Sequence, residues 1–329
     1  MYHRVALPVY DGGPDAARTI IDDIDNWVSS DPIATIVGCF GGVMPRDSLD
    51  ARLAYLEEFA SQHWDYRDGK ERQQARREVF SEATAAEAVK VAHALGLVDA
   101  APPRHQQYTH VLVLGGLVRT CLERVRYASM LLDSGIDSDQ VSAIGCYRPI
   151  NDSEKELAAQ LGMQDARYEV DAMAAGVRWS FGVSSPVTLE HEGDPAYDAN
   201  RSWSISTYAT QRAMIRVVAA PSLDPDKRRA NTADTCEFWA NNVVDLSADD
   251  RVLVVTSSLY VPFQHCDAIA NIGLPHGCGI ETVGINLVGA HECRSQAADR
   301  YLQELNSAIV SMRRLYKAAN AAKVGNTAG

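Results

Sequence analysis

Short, uninterrupted apolar segments alternate with helical periods in the last two-thirds of the chain, and this alternation constrains the fold most. Three segments predict buried strands: His110–Leu114, Val141–Cys146 and Arg251–Thr256. A fourth strand is predicted at Glu281–Asn286. Continuous apolar strands separated by helices are typical of a parallel sheet covered on both faces. The sequence therefore predicts an α/β protein with a Rossmann-like, mainly parallel sheet flanked by helices.

Four further segments alternate polar and apolar residues: Val177–Gly182, Val187–Glu192, Trp203–Ala209 and Met214–Ala219. This alternation is typical of antiparallel strands with one solvated face. We therefore expect an inserted antiparallel flap at about residues 177–220, in a position to cover a site.

The first third of the chain has a different pattern. Asp47–His63 and Lys70–Leu97 are amphipathic stretches that predict helices. Two prolines interrupt any helix in Ala100–Gln107, so we place a linker there. The predicted division is a mostly helical N-terminal lobe, residues 1–105, and a Rossmann-like domain, residues 106–329, that ends in a long helix.

The composition excludes several classes of function. A net charge of −12 disfavours binding to nucleic acid, which is driven by lysine and arginine. Seven scattered cysteines without a CxxC pair favour a reducing compartment over a disulfide framework. The N-terminus does not resemble a signal peptide, and no apolar run is long enough to span a membrane. We expect a cytoplasmic protein with no nucleic-acid or membrane partner.

Gly115 and Gly116 follow the first predicted strand directly, in the segment LGGLVR. Glycines allow the backbone to turn tightly and to approach a ligand, and the N-terminus of the following helix attracts anions. The spacing matches neither GxGxxG nor a P-loop. A ligand-binding turn and a plain strand-to-helix turn are therefore equally good interpretations.

Arginines follow the first two strands. Arg119 and Arg126 are seven residues apart and share a helical face, and Arg119 is placed to bind a phosphate or carboxylate near the helix start. Arg148 follows the second strand. We interpret Arg119 and Arg148 as ligand-binding residues, and Arg124 as a solvated surface residue paired with Glu123.

Glu154, Glu169 and Asp171 form an acidic group after the second strand. A carboxylate at a pocket edge accepts hydrogen bonds from hydroxyls or acts as a general base, and desolvation raises its pKa. Glu154 has a structural interpretation, because an acidic residue there favours a helix N-terminus. Glu169 is the predicted catalytic acid or base.

Polar residues also accompany two later elements. Asn231 and Thr232 precede a predicted helix, where they either cap it or leave its N–H groups facing a ligand. Thr256, Ser257 and Tyr260 follow the third buried strand. Since there is no G-x-S-x-G motif, we interpret their hydroxyls as ligand-binding groups rather than nucleophiles.

Three groupings contain both histidine and cysteine: His265-Cys266, His276-Gly277-Cys278 and His291-Glu292-Cys293. Their spacings match no common zinc module. We therefore expect no metal site.

Four stretches resemble the YdcF/SanA/ElyC-like family: Val111–Arg119, Tyr168–Met173, Pro221–Phe238 and Val252–Gln264. The family pattern has a strand ending in LGG, an arginine-bearing helix, a glutamate-centred helix, a T-E-N-like segment and a VTS strand end. The resemblance implies a Rossmann-like domain with a polar pocket and no generally assigned reaction. The chain would then be a divergent member with an extra N-terminal helical lobe.

The polar motifs are predicted to meet at the C-terminal edge of the sheet. They predict a small-molecule enzyme, performing group transfer or hydrolysis on an anionic, nucleotide-like or sugar-phosphate-like ligand. The alternative is a non-catalytic regulatory protein that binds a nucleotide or an S-adenosylmethionine-type cofactor. A third hypothesis is a homodimer formed through the final helix, where Leu302, Leu305 and Ile309 have helical spacing, although core packing also explains such a stripe.

Overall fold

A computed structural model describes residues 2–13, 16–69, 75–99, 101–285 and 297–326. The chain divides into two compact units. The first, called here the helical unit, comprises Met1–Ala101, Ser258–Ala270 and Asn286–Gly329. The second, called the sheet unit, comprises Pro102–Ser257 and Asn271–Ile285.

The strands in chain order are β1 His110–Leu114, β2 Gln140–Gly145, β3 Thr188–Glu192, β4 Trp203–Ala209, β5 Met214–Ala219, β6 Arg251–Ser257 and β7 Gly279–Ile285. The helices are α1 Ala16–Val28, α2 Asp31–Cys39, α3 Leu49–Trp64, α4 Glu82–Ala94, α5 Val118–Asp133, α6 Asp152–Gln160, α7 Glu169–Phe181, α8 Pro195–Asp198, α9 Thr232–Asn242, α10 Val261–Ala268, α11 Leu274–His276 and α12 Ala298–Asn326.

The described strands of the sheet unit form one mixed sheet in the order β3-β4-β5-β2-β1-β6-β7. The five strands from β5 to β7 are parallel, with Val111 opposite Val141 on one side of β1 and opposite Leu253 on the other. β3 and β4 add antiparallel pairs at one end. The predicted α/β fold, with a Rossmann-like sheet, flanking helices and a helical N-terminal region, is confirmed.

The core of the sheet unit is built around β1, the middle one of the five parallel strands. All five residues of His110–Leu114 are buried, and the apolar faces of α5 and α7 pack together beside the sheet. Gly176 of α7 allows close contact with α5, because a β-carbon on it would lie 3.2 Å from the β-carbon of Val125. Because the five strands from β5 to β7 are parallel, their C-terminal ends lie at one edge of the sheet.

The predicted strand Val177–Gly182 is wrong. These residues form the end of α7, and Gly182 ends it in the left-handed conformation with φ 65°. Ala172, Met173 and Val177 have helical spacing and are all buried, which outweighs the short local alternation of polar and apolar residues. The other three alternating segments are β3, β4 and β5, and they extend the main sheet.

In the helical unit, α12 packs against α1, α3, α4 and α10. Leu302, Leu305 and Ile309 are buried there, so core packing accounts for their spacing. The structure thus groups the final helix with the N-terminal residues, whereas the predicted division placed it in the Rossmann-like domain. Among the described residues, no helix is long and apolar enough to cross a membrane.

Candidate functional site

The C-terminal ends of β1, β2 and β6 meet at one edge of the sheet unit. β2, the next strand in the chain, lies on one side of β1, and β6 lies on its other side. In open α/β sheets, ligands bind at the point where the strand order reverses in this way. Gly115, Gly116, Arg148 and Ser257 all lie at this edge, as the strand pattern predicted.

Arg148 is the centre of the most extensive charged network here. Its Nε donates to Glu169 Oε2 at 2.9 Å, and its Nη1 and Nη2 donate to the two carboxylate oxygens of Glu154, each at 2.9 Å. Nη2 also donates to the carbonyl of Gly116 at 2.9 Å. We call Arg148, Glu154 and Glu169 the Arg148 cluster. Burial opposes the charge on Arg148, but the two glutamates outweigh it and raise its pKa.

Glu154 joins the starts of two helices. One of its oxygens accepts the N–H of Val118 at the start of α5, and the other accepts the N–H of Asn151, which caps α6. Burial alone would raise the pKa of Glu154, but the bonds from Arg148, Asn151 and Val118 outweigh it and lower the pKa. The helix N-terminal interpretation of this residue agrees with these contacts.

Glu169, the predicted acid or base, is the first residue of α7 and is buried. Oε2 is paired with Arg148, whereas Oε1 accepts no hydrogen bond from any described residue. A β-carbon on Gly115 would overlap Oε1, and one on Gly145 would lie 3.0 Å from it. Burial raises the pKa of Glu169, while the charges of Arg148, Arg229 and Arg124 oppose the rise.

The prediction that Arg124 is a solvated surface residue is wrong. Arg124 is 1% exposed, not solvated. Its Nη1 donates to the carbonyls of Leu114, at 2.9 Å, and Gly115, and its Nε donates to Ser257 Oγ at 3.2 Å. The sequence signal for its burial is spacing, because Arg124 lies on the same helical face as the buried Cys121 and Ala128.

The remaining predicted residues of the sheet unit have other surroundings. Arg119 is exposed on α5. Asn231 Oδ1 accepts the N–H groups of Ala233 and Asp234, at 2.8 and 3.1 Å, so it caps α9, and Thr232 is the first residue of that helix. Thr256 is fully buried within β6.

Tyr260 belongs to the helical unit, where its ring contacts Phe263 edge to face at 5.9 Å. The histidine of the first His/Cys grouping, His265, bonds through Nε2 to the carbonyl of Pro8 at 2.7 Å. Among the described residues, no three metal-ligating side chains come together. The grouping His291-Glu292-Cys293 lies outside the described residues.

Two cysteines near the edge are poor nucleophiles. Burial, and secondarily the charge of Glu169, raises the pKa of Cys146 to about 12. The pKa of Cys121 is raised by the same causes. Because the thiolate is the reactive form, both thiols are unreactive at neutral pH, and Glu169 remains the strongest candidate for proton transfer.

Fold and site together define a Rossmann-like α/β protein with a polar cluster at the C-terminal edge of its parallel sheet. Residues 11–96, within the helical unit, match the family described as the Rv3785 N-terminal domain. The chain is similar to the uncharacterized protein Rv3785 of Mycobacterium tuberculosis and to the uncharacterized protein Mb3814 of Mycobacterium bovis. Each is 29% identical over 333 residues, covering 92% of this chain and 91% of the relative. No solved structure was found to match the chain.

Proposed function

We propose that the sheet unit is a small-molecule enzyme that performs group transfer or hydrolysis on an anionic, nucleotide-like or sugar-phosphate-like ligand. The observation that carries the proposal is the carboxylate of Glu169. One of its oxygens is held by Arg148, and the other accepts no hydrogen bond from any described residue and lies beside two glycines at the strand ends. Glu169 would act as the general acid or base.

The electrostatic environment supports proton transfer at this carboxylate. A general acid or base works best when its pKa is near the working pH, and burial moves the pKa of Glu169 in that direction. Arg148 keeps the carboxylate in one orientation, because it also binds Glu154 and the Gly116 carbonyl. In this proposal Arg148 is a positioning residue, since its nitrogens already donate to protein acceptors.

Ligand binding would use groups at the same edge that remain accessible. Arg119 is exposed in the first turn of α5, and the start of that helix favours an anion. Asn231 and Thr232 are at the start of α9. Arg124 bridges the ends of β1 and β6, and it occupies the place where a dinucleotide would approach these strand ends. This position favours a smaller phosphorylated ligand. The resemblance to the YdcF/SanA/ElyC-like family supports a polar pocket here.

The proposal is tested by incubating the purified full chain with ATP, S-adenosylmethionine and glucose 6-phosphate. Binding is followed by thermal shift and conversion by mass spectrometry. We expect Glu169→Gln to retain ligand binding and to lose about 10²- to 10⁴-fold in turnover, the usual range for an acid or base. Glu156→Gln, which changes an exposed carboxylate on α6, is the matched control and should retain full turnover. Unchanged turnover in Glu169→Gln would contradict the assignment.

A second candidate function is non-catalytic binding of a nucleotide or S-adenosylmethionine-type ligand. It is favoured by the extent to which the Arg148 cluster is paired within the protein, since Glu154 already accepts the first N–H of α5. A cluster paired in this way holds the starts of α5 and α6 in place, and this structural role involves no catalysis. In the same experiment, this function predicts saturable binding with no conversion by the unmodified chain.

A further inference from the structure

The helical unit contains a small cavity that the proposed function does not use. It has a volume of about 80 Å³ and is lined chiefly by Tyr66, Arg67, Arg76, Arg77, Asp299 and Arg300. One buried water molecule needs a cavity volume of roughly 10–15 Å³. The cavity, called here the Tyr66 cavity, therefore has room for an anion with about five heavy atoms.

The lining of the Tyr66 cavity carries more positive than negative charge. Arg77 pairs with Asp299 at 3.1 Å, and Arg67 pairs with Glu304, which is not a lining residue. Among the described residues, the ion-pair partner of Arg76 is the exposed Glu78, 3.6 Å away, and such surface pairs are weak.

Arg300 is the remaining cation among the lining residues. No carboxylate among the described residues pairs with its guanidinium. Arg300 lies in the first turn of α12, where N–H groups also favour negative charge. The Tyr66 cavity thus has at least one positive charge to spare.

Two buried donors that belong to lining residues of this cavity have no partner among the described residues. The hydroxyl of Tyr66, a residue only 4% exposed, and Nε of Arg67 are buried and bond to no described residue. Leaving a buried donor unsatisfied is costly, so native proteins rarely do it without a reason. Burial, with the charges of Glu78 and Asp299, raises the pKa of Tyr66, which keeps the hydroxyl protonated as a donor.

We propose that the Tyr66 cavity binds a phosphate-sized oxyanion, held by the guanidinium of Arg300, the adjacent Arg76 and the hydroxyl of Tyr66. Planar guanidinium groups match the oxygens of phosphate in pairs, and charge-assisted hydrogen bonds of this kind are the strong ones. The ligand is either free inorganic phosphate or the phosphate group of a small metabolite. The lining residues of this site belong to the helical unit, whereas Glu169 belongs to the sheet unit.

The test is calorimetric titration of the full chain with inorganic phosphate, sulfate and glucose 6-phosphate, with chloride at matched ionic strength as the blank. We expect saturable binding by the unmodified chain and a loss of about tenfold in affinity for Arg300→Gln. Tyr66→Phe should lose about fivefold while unfolding no earlier than the unmodified chain, because it removes an unpartnered hydroxyl. Arg18→Gln, which changes an exposed arginine of α1, should bind normally.

Comparison of the titrants identifies the source of the phosphate. Tighter binding of inorganic phosphate supports a free ion as the ligand, and tighter binding of glucose 6-phosphate supports a phosphorylated metabolite. Absence of saturable binding beyond the chloride blank would overturn the proposal. Equal losses in Arg300→Gln and Arg18→Gln would also overturn it, as would binding that is lost in Arg119→Gln but kept in Arg300→Gln.

Discussion

Arg148 in the sheet unit and Arg300 in the helical unit both belong to clusters of charge, but their guanidinium groups are used differently. Arg148 is 11% exposed and binds two carboxylates and a carbonyl. Arg300 pairs with no carboxylate among the described residues, and the hydroxyl of Tyr66, another lining residue of its cavity, has no partner among them. A cluster whose donors are all paired holds its own geometry, whereas one with donors left over gains most from an added anion.

The largest expected effect separates the two arginines directly. Arg148→Met leaves Glu154 and Glu169 buried without their cation, and breaking a buried pair in this way costs about 3–5 kcal/mol. Arg300→Met removes no ion pair with a described residue and should change the free energy of unfolding by less than about 0.5 kcal/mol. Urea denaturation at neutral pH measures both. If the two variants unfold at the same urea concentration, the contrast between the clusters is wrong.

A second test compares the two carboxylates that share Arg148. Glu154→Gln weakens a charged acceptor of four hydrogen bonds and should cost about 2–3 kcal/mol at neutral pH. Glu169→Gln should cost less than about 1 kcal/mol, because burial already disfavours the charged form of Glu169.

The pH dependence of these two variants has opposite signs. The pKa of Glu154 is lowered from 4.5, so its contribution is present above that value and is lost as the pH falls through the lower pKa of the folded state. The pKa of Glu169 is raised from 4.5, so its contribution is present below that value and is lost as the pH rises through the higher folded pKa. The cost of Glu154→Gln should therefore shrink in acid, and Glu169→Gln should gain on the unmodified chain with rising pH. Parallel pH profiles would contradict the two pKa directions.

A last test concerns the glycine beside Glu169. Gly115→Ala places a methyl group onto Glu169 Oε1 and within 3.0 Å of the Ile144 carbonyl, and such overpacking costs about 1–3 kcal/mol. Gly38→Ala in α2 is the control, since nothing lies within 4 Å of the added carbon. It should stabilise the chain by about 0.5–1 kcal/mol. Thermal unfolding distinguishes the two, and a stabilised Gly115→Ala would show that the carboxylate does not approach this backbone.

Much of the sheet was predictable from local pattern. A run such as His110–Leu114 has no polar face to expose, so it can only be a strand or helix buried on all sides, and its length favours the strand. The helix start at Glu154 was predictable for a similar reason, since a capping residue acts on backbone groups only three positions away. Val177–Gly182 was mispredicted because a six-residue alternation is too short to outweigh the longer helical period around it.

The sequence by itself determined which strands are buried, which residues follow them and which carboxylate lies at a helix start, because these depend on neighbours a few positions apart. Only the tertiary structure decided that Arg124 turns inward to two carbonyls, that Arg148 is shared by two glutamates, and that the final helix packs with the N-terminal residues. These outcomes join parts of the chain that are distant in sequence. They depend on whether a charge finds partners when it is buried, which no local pattern specifies.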